Sequence, residues 1–134
     1  MKKMNPVVHF ELPAHDRKRM ADFYTKVFGW QAHMLGEEMG NYVTMATAET
    51  DENGQSKLPN TINGGLYPRN PEMGDVHPSL VIAVDDIKES ARDLAAAGGT
   101  VIGEPVEIPG IGIYVSFEDT EGNKLSLLQP FMNK

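Results

Sequence analysis

The chain has 134 residues, 40% of them apolar, enough for one compact domain or for two very small halves that must bury apolar surface to be stable. Twelve Lys and Arg stand against nineteen Asp and Glu, a net charge of −7; this argues against a nucleic-acid surface, which needs clustered positive charge, and suits a cationic ligand. No Cys is present, which excludes disulfides and thiolate metal sites. The opening MKKMNPVVHFELP has no apolar stretch of signal-peptide length, and no run approaches the ~18 apolar residues of a membrane span, so a cytoplasmic protein without membrane contact is expected.

Residues Val7–Leu12 read as a strand, with Val8, Phe10 and Leu12 on one face and Val7, His9 and Glu11 on the other. Asp16 offers a helix cap. Met20, Phe23, Tyr24 and Val27 follow at helical spacing, and Gly29 is placed to end that helix. Strand-like runs come next at Trp30–Leu35, Asn41–Thr47 and Thr61–Tyr67, interrupted by a polar loop at Glu49–Asn60. Tyr67–Val76, with its prolines and glycine, reads as a linker.

The plan then returns. Leu80, Ile82 and Val84 alternate; Asp86 caps, with Glu89 set for a capping box; Ile87, Ala91 and Leu94 form a helical stripe; and Gly98-Gly99 closes it. Phe10 to Leu80, Asp16 to Asp86, Ala21 to Ala91 and Gly29 to Gly99 are each 70 residues apart, the mark of an internal repeat. Further runs at Thr100–Ile102, Ile113–Glu118 and Lys124–Gln129 complete β-α-β-β-β for the second time, with a turn at Asp119–Asn123 before the last. The fold class is α+β, a single domain over 1–134 built from module one at about 5–68 and module two at about 76–130.

His9-x6-Asp16, then Ala21-Asp-Phe-Tyr-Thr-Lys-Val-Phe-Gly29, Val84-Asp-Asp-Ile87, Ala97-Gly-Gly99, Ile108-Pro-Gly-Ile-Gly112 and Asp119-x-x-Gly-Asn123 together resemble the vicinal oxygen chelate superfamily. It includes glyoxalase I, bleomycin-resistance proteins, extradiol dioxygenases and fosfomycin-resistance enzymes. The resemblance covers nearly the whole chain and implies two βαβββ modules forming a cup-shaped mixed sheet with helices outside. It places the Phe10 and Leu80 faces against helices and turns His9, Glu11, Ser79 and Val81 toward a ligand. A homodimer is expected.

Metal-dependent members hold a divalent ion with four side chains, from the first and last strand of each module. Here those positions fall on His9, Ser79, Ser126, and Gly64 or Gly65. Serine is a poor ligand for a transition metal and glycine offers no side chain. No metal cofactor is therefore expected; the alternative is a rebuilt site of His9, Glu11 and His77, each on the same strand face as a family position but displaced by roughly 6–7 Å in the case of Glu11 and His77.

The expected function is the binding of a small organic molecule by His9, Glu11, Tyr42, Ser79, Tyr114 and Ser126. The alternative is a lyase or isomerase of glyoxalase type, with His9 and Glu11 as candidate catalytic acid and base or with a rebuilt metal site. A third reading is an accessory module with a vestigial pocket. His15 and His33 read as surface residues, and Trp30 as core, dimer interface or a stacking platform.

Overall fold

The computed structural model describes residues 3–53, 55–70, 72 and 76–131. The chain divides into two compact units, one of residues 9–78 and the other of residues 1–8 with 79–134. Residues 71 and 73–75 of the expected linker lie outside the described residues.

The first unit takes most of β1 (Val7–Ala14), then α1 (Arg17–Phe28), β2 (Gln31–Met34), β3 (Val43–Ala46) and β4 (Asn63–Pro68), with a short 3-10 turn at Glu37–Met39. Its strand order is β2-β3-β4-β1, with β1 parallel to β4 and the other pairs antiparallel. The second unit repeats this path with β5 (Ser79–Ala83), α2 (Ile87–Ala96), β6 (Thr100–Ile108), β7 (Gly112–Glu118) and β8 (Lys124–Pro130). Its order is β5-β8-β7-β6, again with only the first and last strands parallel. The βαβββ plan therefore occurs twice, in mixed sheets, as the 70-residue offset implies.

Local chemistry sets the helix ends. Asp16 Oδ1 accepts the Arg19 amide at 3.0 Å, and Asp86 Oδ1 accepts the amides of Lys88 and Glu89 at 3.1 and 3.2 Å, which satisfies donors that a helix start leaves orphaned. Gly29 takes φ 76° and its amide bonds to Thr25 O at 3.0 Å, a left-handed stop that glycine adopts without strain. In the second helix the cap falls on Ala97, and the left-handed turn follows at Gly98, φ 105°.

Each unit has its own core. The first gathers Ala14, Ala21, Val43, Met45 and Leu66, with Leu12, Met20, Tyr24 and Trp30 packed against them. The second gathers Val84, Ile87, Val115, Phe117 and Leu127, backed by Ile82, Leu94 and Leu125.

Four expectations need correction. The buried stripe of α1 runs through Ala21, Met20 and Tyr24, while Phe23 and Val27 are 54% and 55% exposed. The small Ala21 lies at the centre of the covered face and the bulky pair is rotated off it. Leu80 is exposed although Ile82 and Val84 on the same strand face join the core. β1 continues past Leu12, because its ladder with β4 runs on to the buried Ala14. β6 extends to Ile108 through a register shift between Ile102 and Val106, where Gly103 has φ 76°; a bulge of this kind carries a strand past a residue that cannot stay in regular register.

Candidate functional site

Alternation along β1 sends Phe10, Leu12 and Ala14 to the core and leaves His9 and Glu11 on the opposite face. In the parallel ladder Phe10 pairs with Gly64 and Glu11 with Gly65, and paired residues share a face. The two glycines therefore have different neighbours. A Cβ on Gly64 would overlap the Phe10 ring, and a Cβ on Gly65 would overlap the Tyr42 ring and hydroxyl. The last-strand family position on the polar face is thus Gly65, and Tyr42 lies across it.

Tyr42 joins the polar side chains of β1. Its hydroxyl is 2.8 Å from His9 Nε2 and donates to Glu11 Oε2 at 2.9 Å. All three residues are partly buried. Burial pushes the His9 imidazole below its ordinary pKa, and the Glu11 charge opposes that fall without cancelling it. The ring is accordingly biased toward its neutral form. Tyr67, two residues beyond Gly65, has its phenol pKa raised by burial first and by Glu11 second, with Arg69 acting in the other direction. Its proximity to Glu11 is not evident in the sequence without the β1–β4 register.

The second unit builds a hydroxyl chain on the corresponding strands. Val81 pairs with Ser126, and Ser126 with Ser116. The Ser126 Oγ, almost wholly buried, donates to the Tyr114 hydroxyl at 2.7 Å and lies 3.3 Å from Ser116 Oγ. Ser79 Oγ donates to the Lys124 carbonyl at 2.9 Å. The candidates thus fall into two groups: His9, Glu11 and Tyr42 in direct contact in one unit, and Tyr114 with Ser126 in the other, where Ser79 bonds backbone instead.

His77 is exposed, and among the described residues no three His, Asp or Glu side chains gather as a metal-holding group, so His9, Glu11 and His77 are not assembled as one. The donors at the family positions do not fit a divalent transition metal: one imidazole, two serines engaged with protein partners, and a glycine overlain by a tyrosine. His15 and His33 are exposed. Trp30 stacks on Tyr24, 4.8 Å between centroids and 7° between planes, on the core side of the sheet. An open groove bordered by Arg17, Asp22, Trp30 and Met34 contains none of the polar-face residues. No helix among the described residues is long and apolar enough to cross a membrane.

Sequence reasoning singled out His9, Glu11 and Tyr42 but missed Gly65 as the residue that brings them together. The signal was present in Gly64-Gly65, since glycine inside a strand marks a close approach of another group.

Comparison with known proteins agrees with this architecture. The chain is 29% identical over 125 residues to a "Probable lactoylglutathione lyase" of Vibrio cholerae, covering 92% of this chain and 89% of that protein. It is 26% identical to a lactoylglutathione lyase of Haemophilus influenzae, covering 92% and 91%. The crystal structure of a methylmalonyl-CoA epimerase superposes with a TM-score of 0.70 at 18% identity, over 98% of this chain and all of the other; at that identity the likeness speaks for the fold alone. The profile of the Glyoxalase/Bleomycin resistance protein/Dioxygenase superfamily matches residues 7–127, and the chain belongs to that family.

Proposed function

We propose that this chain binds a small organic molecule on the polar face of its first unit, through His9, Glu11 and Tyr42, without the four-ligand metal site usual in the family. The observation that carries the reading is the contact of all three side chains through one hydroxyl, at 2.8 and 2.9 Å. Partly buried titratable groups joined in this way are common at ligand sites. The donor set supports the metal-free part of the reading, because only His9 offers a strong donor at a family position.

Thermal melting in the presence of Ni²⁺, Zn²⁺ or Mn²⁺, with His9→Ala as control, tests that part. The expected result is no stabilisation of the native chain. A melting temperature that rises with metal and stops rising in His9→Ala overturns it. A small-molecule screen read by chemical-shift changes at His9, Glu11 and Tyr42 tests the binding site; hits that perturb other residues and leave these three unmoved refute it.

The second reading is an acid–base isomerase or lyase of glyoxalase type. It is favoured by one observation, the contact of the His9 imidazole and the Glu11 carboxylate with one Tyr42 hydroxyl; burial that lowers the His9 pKa suits proton removal near neutral pH. Isomerisation of a hemithioacetal, abolished by His9→Gln and Glu11→Gln, is its expected outcome; turnover at the same rate in both variants rejects these residues as the catalytic pair.

A further inference from the structure

The hydrogen bonds around Tyr42 determine more than proximity. A phenol has one proton, and a carboxylate can only accept. The Tyr42 hydroxyl spends its proton on Glu11 Oε2 at 2.9 Å. Its contact with His9 Nε2 at 2.8 Å must then run the other way, with Nε2–H donating to the phenol oxygen. A neutral imidazole carries one N–H, so the other nitrogen, Nδ1, keeps the lone pair.

This arrangement depends on a residue with no side chain. The Tyr42 ring occupies the space where a Cβ on Gly65 would stand, and Gly65 is paired with Glu11 on one side and Thr44 on the other. The second unit shows what happens when the position carries a side chain. Ladder pairing matches Ser126 to Gly65, Val81 to Glu11, Ser116 to Thr44, and therefore Tyr114 to Tyr42. There Ser126 donates to the tyrosine hydroxyl at 2.7 Å. Glycine at 65 supplies no such donor, and in its place His9 Nε2 reaches the Tyr42 hydroxyl.

We propose that Gly65 and Tyr42 are positioning residues that lock neutral His9 as its Nε2–H tautomer, so that Nδ1 is the ring's acceptor and the site selects a ligand bearing an N–H or O–H donor at that point. The ligand half of this statement rests on the binding function proposed above; the tautomer half stands without it.

The test is ¹⁵N NMR of ring-labelled histidine at a pH where the ring is neutral, with the His9 signals assigned by their loss in His9→Gln. In the native chain, Nε2 resonates as a protonated nitrogen and Nδ1 as an unprotonated one. Tyr42→Phe, which removes only the oxygen, moves both toward the averaged values of a freely exchanging ring, and Gly65→Ala does the same with Tyr42 retained. Averaged signals or an Nδ1–H form in the native chain overturn the lock, as does an unchanged spectrum in Tyr42→Phe; an unchanged spectrum in a folded Gly65→Ala removes Gly65 from it. For the ligand half, N-methylacetamide and N,N-dimethylacetamide at equal concentration are the probes. The first has an N–H and is expected to shift the Nδ1 signal; the second has none and is not. An equal response to both, or no response to either, overturns the donor selectivity and leaves the tautomer to be judged by the first measurement.

Discussion

The two units place a tyrosine two residues before equivalent ladder positions, Thr44 and Ser116, and use it differently. In residues 9–78 the Tyr42 hydroxyl lies between an imidazole and a carboxylate; in the second unit the Tyr114 hydroxyl accepts from Ser126, which also neighbours Ser116. The backbone path, the strand order and the parallel pairing of first and last strands are common to both. The residues around the ring differ: His9 and Glu11 against Ser79 and Val81, and Gly65 against Ser126. Around the tyrosine, titratable partners are thus found in one half of a duplicated scaffold and neutral hydroxyls in the other.

Substitutions in equivalent places can break or sharpen this contrast. The largest effects are expected in the cores, where the halves should behave alike. Leu66 is fully buried and Leu127 nearly so, and Leu→Ala at either should cost about 2–5 kcal/mol, measured by urea unfolding. A loss much smaller at one of them would show that its core can collapse around the gap.

The tyrosines should differ. Tyr42→Phe takes a partner from both His9 and Glu11, and losing hydrogen bonds that involve a charged, partly buried group costs about 1.5–3 kcal/mol. Tyr114→Phe removes the acceptor of one neutral hydroxyl bond, and a cost of about 1 kcal/mol is expected. Equal losses in denaturant titrations would dissolve the distinction.

The pH response follows from His9. Its folded-state pKa is depressed from the ordinary value of 6.5 by burial. The unfolded chain therefore binds the proton first as pH falls, and stability decreases with acid. The contribution is whole above about pH 6.5 and is lost as pH drops through the folded-state pKa. Unfolding midpoints collected across that window should show the slope in the native chain and a shallower one in His9→Gln. Glu11→Gln should depress the His9 pKa further, since the carboxylate was holding it up; an upward movement in an NMR titration contradicts the assigned cause.

The smallest effects belong to the helix caps. Asp16 accepts one amide and Asp86 two, so Asp→Ala should cost about 1 kcal/mol at each, slightly more at Asp86, by thermal unfolding.

Much of the fold was legible because apolar phase and cap chemistry are local. Asp16 with Gly29, and the recurrence of that pattern at Asp86, locate both helices without any knowledge of tertiary contacts. What failed was whatever depends on how elements meet. Phe23 and Val27 have the spacing of a buried stripe, yet the approach of α1 to its sheet centres on Ala21. Leu80 has the right alternation but lies outside the reach of its core. For the candidate site, the alternation of β1 put His9 and Glu11 on one face. Their junction depends on Tyr42, more than 30 residues away, lying across a glycine on a third strand. A ring that spans strands has no periodic signature; only the unusual glycine pair hinted at it.

The single tryptophan also gives this molecule a built-in gauge. Trp30 lies flat against Tyr24, with Phe28 and Phe10 close by, and the sequence has no second indole. Its emission therefore reports the loosening of residues 9–78 alone, whereas far-ultraviolet dichroism sums over both halves. Traces that superimpose on heating would mean that the halves melt as one body, and traces that part would give each half its own melting point.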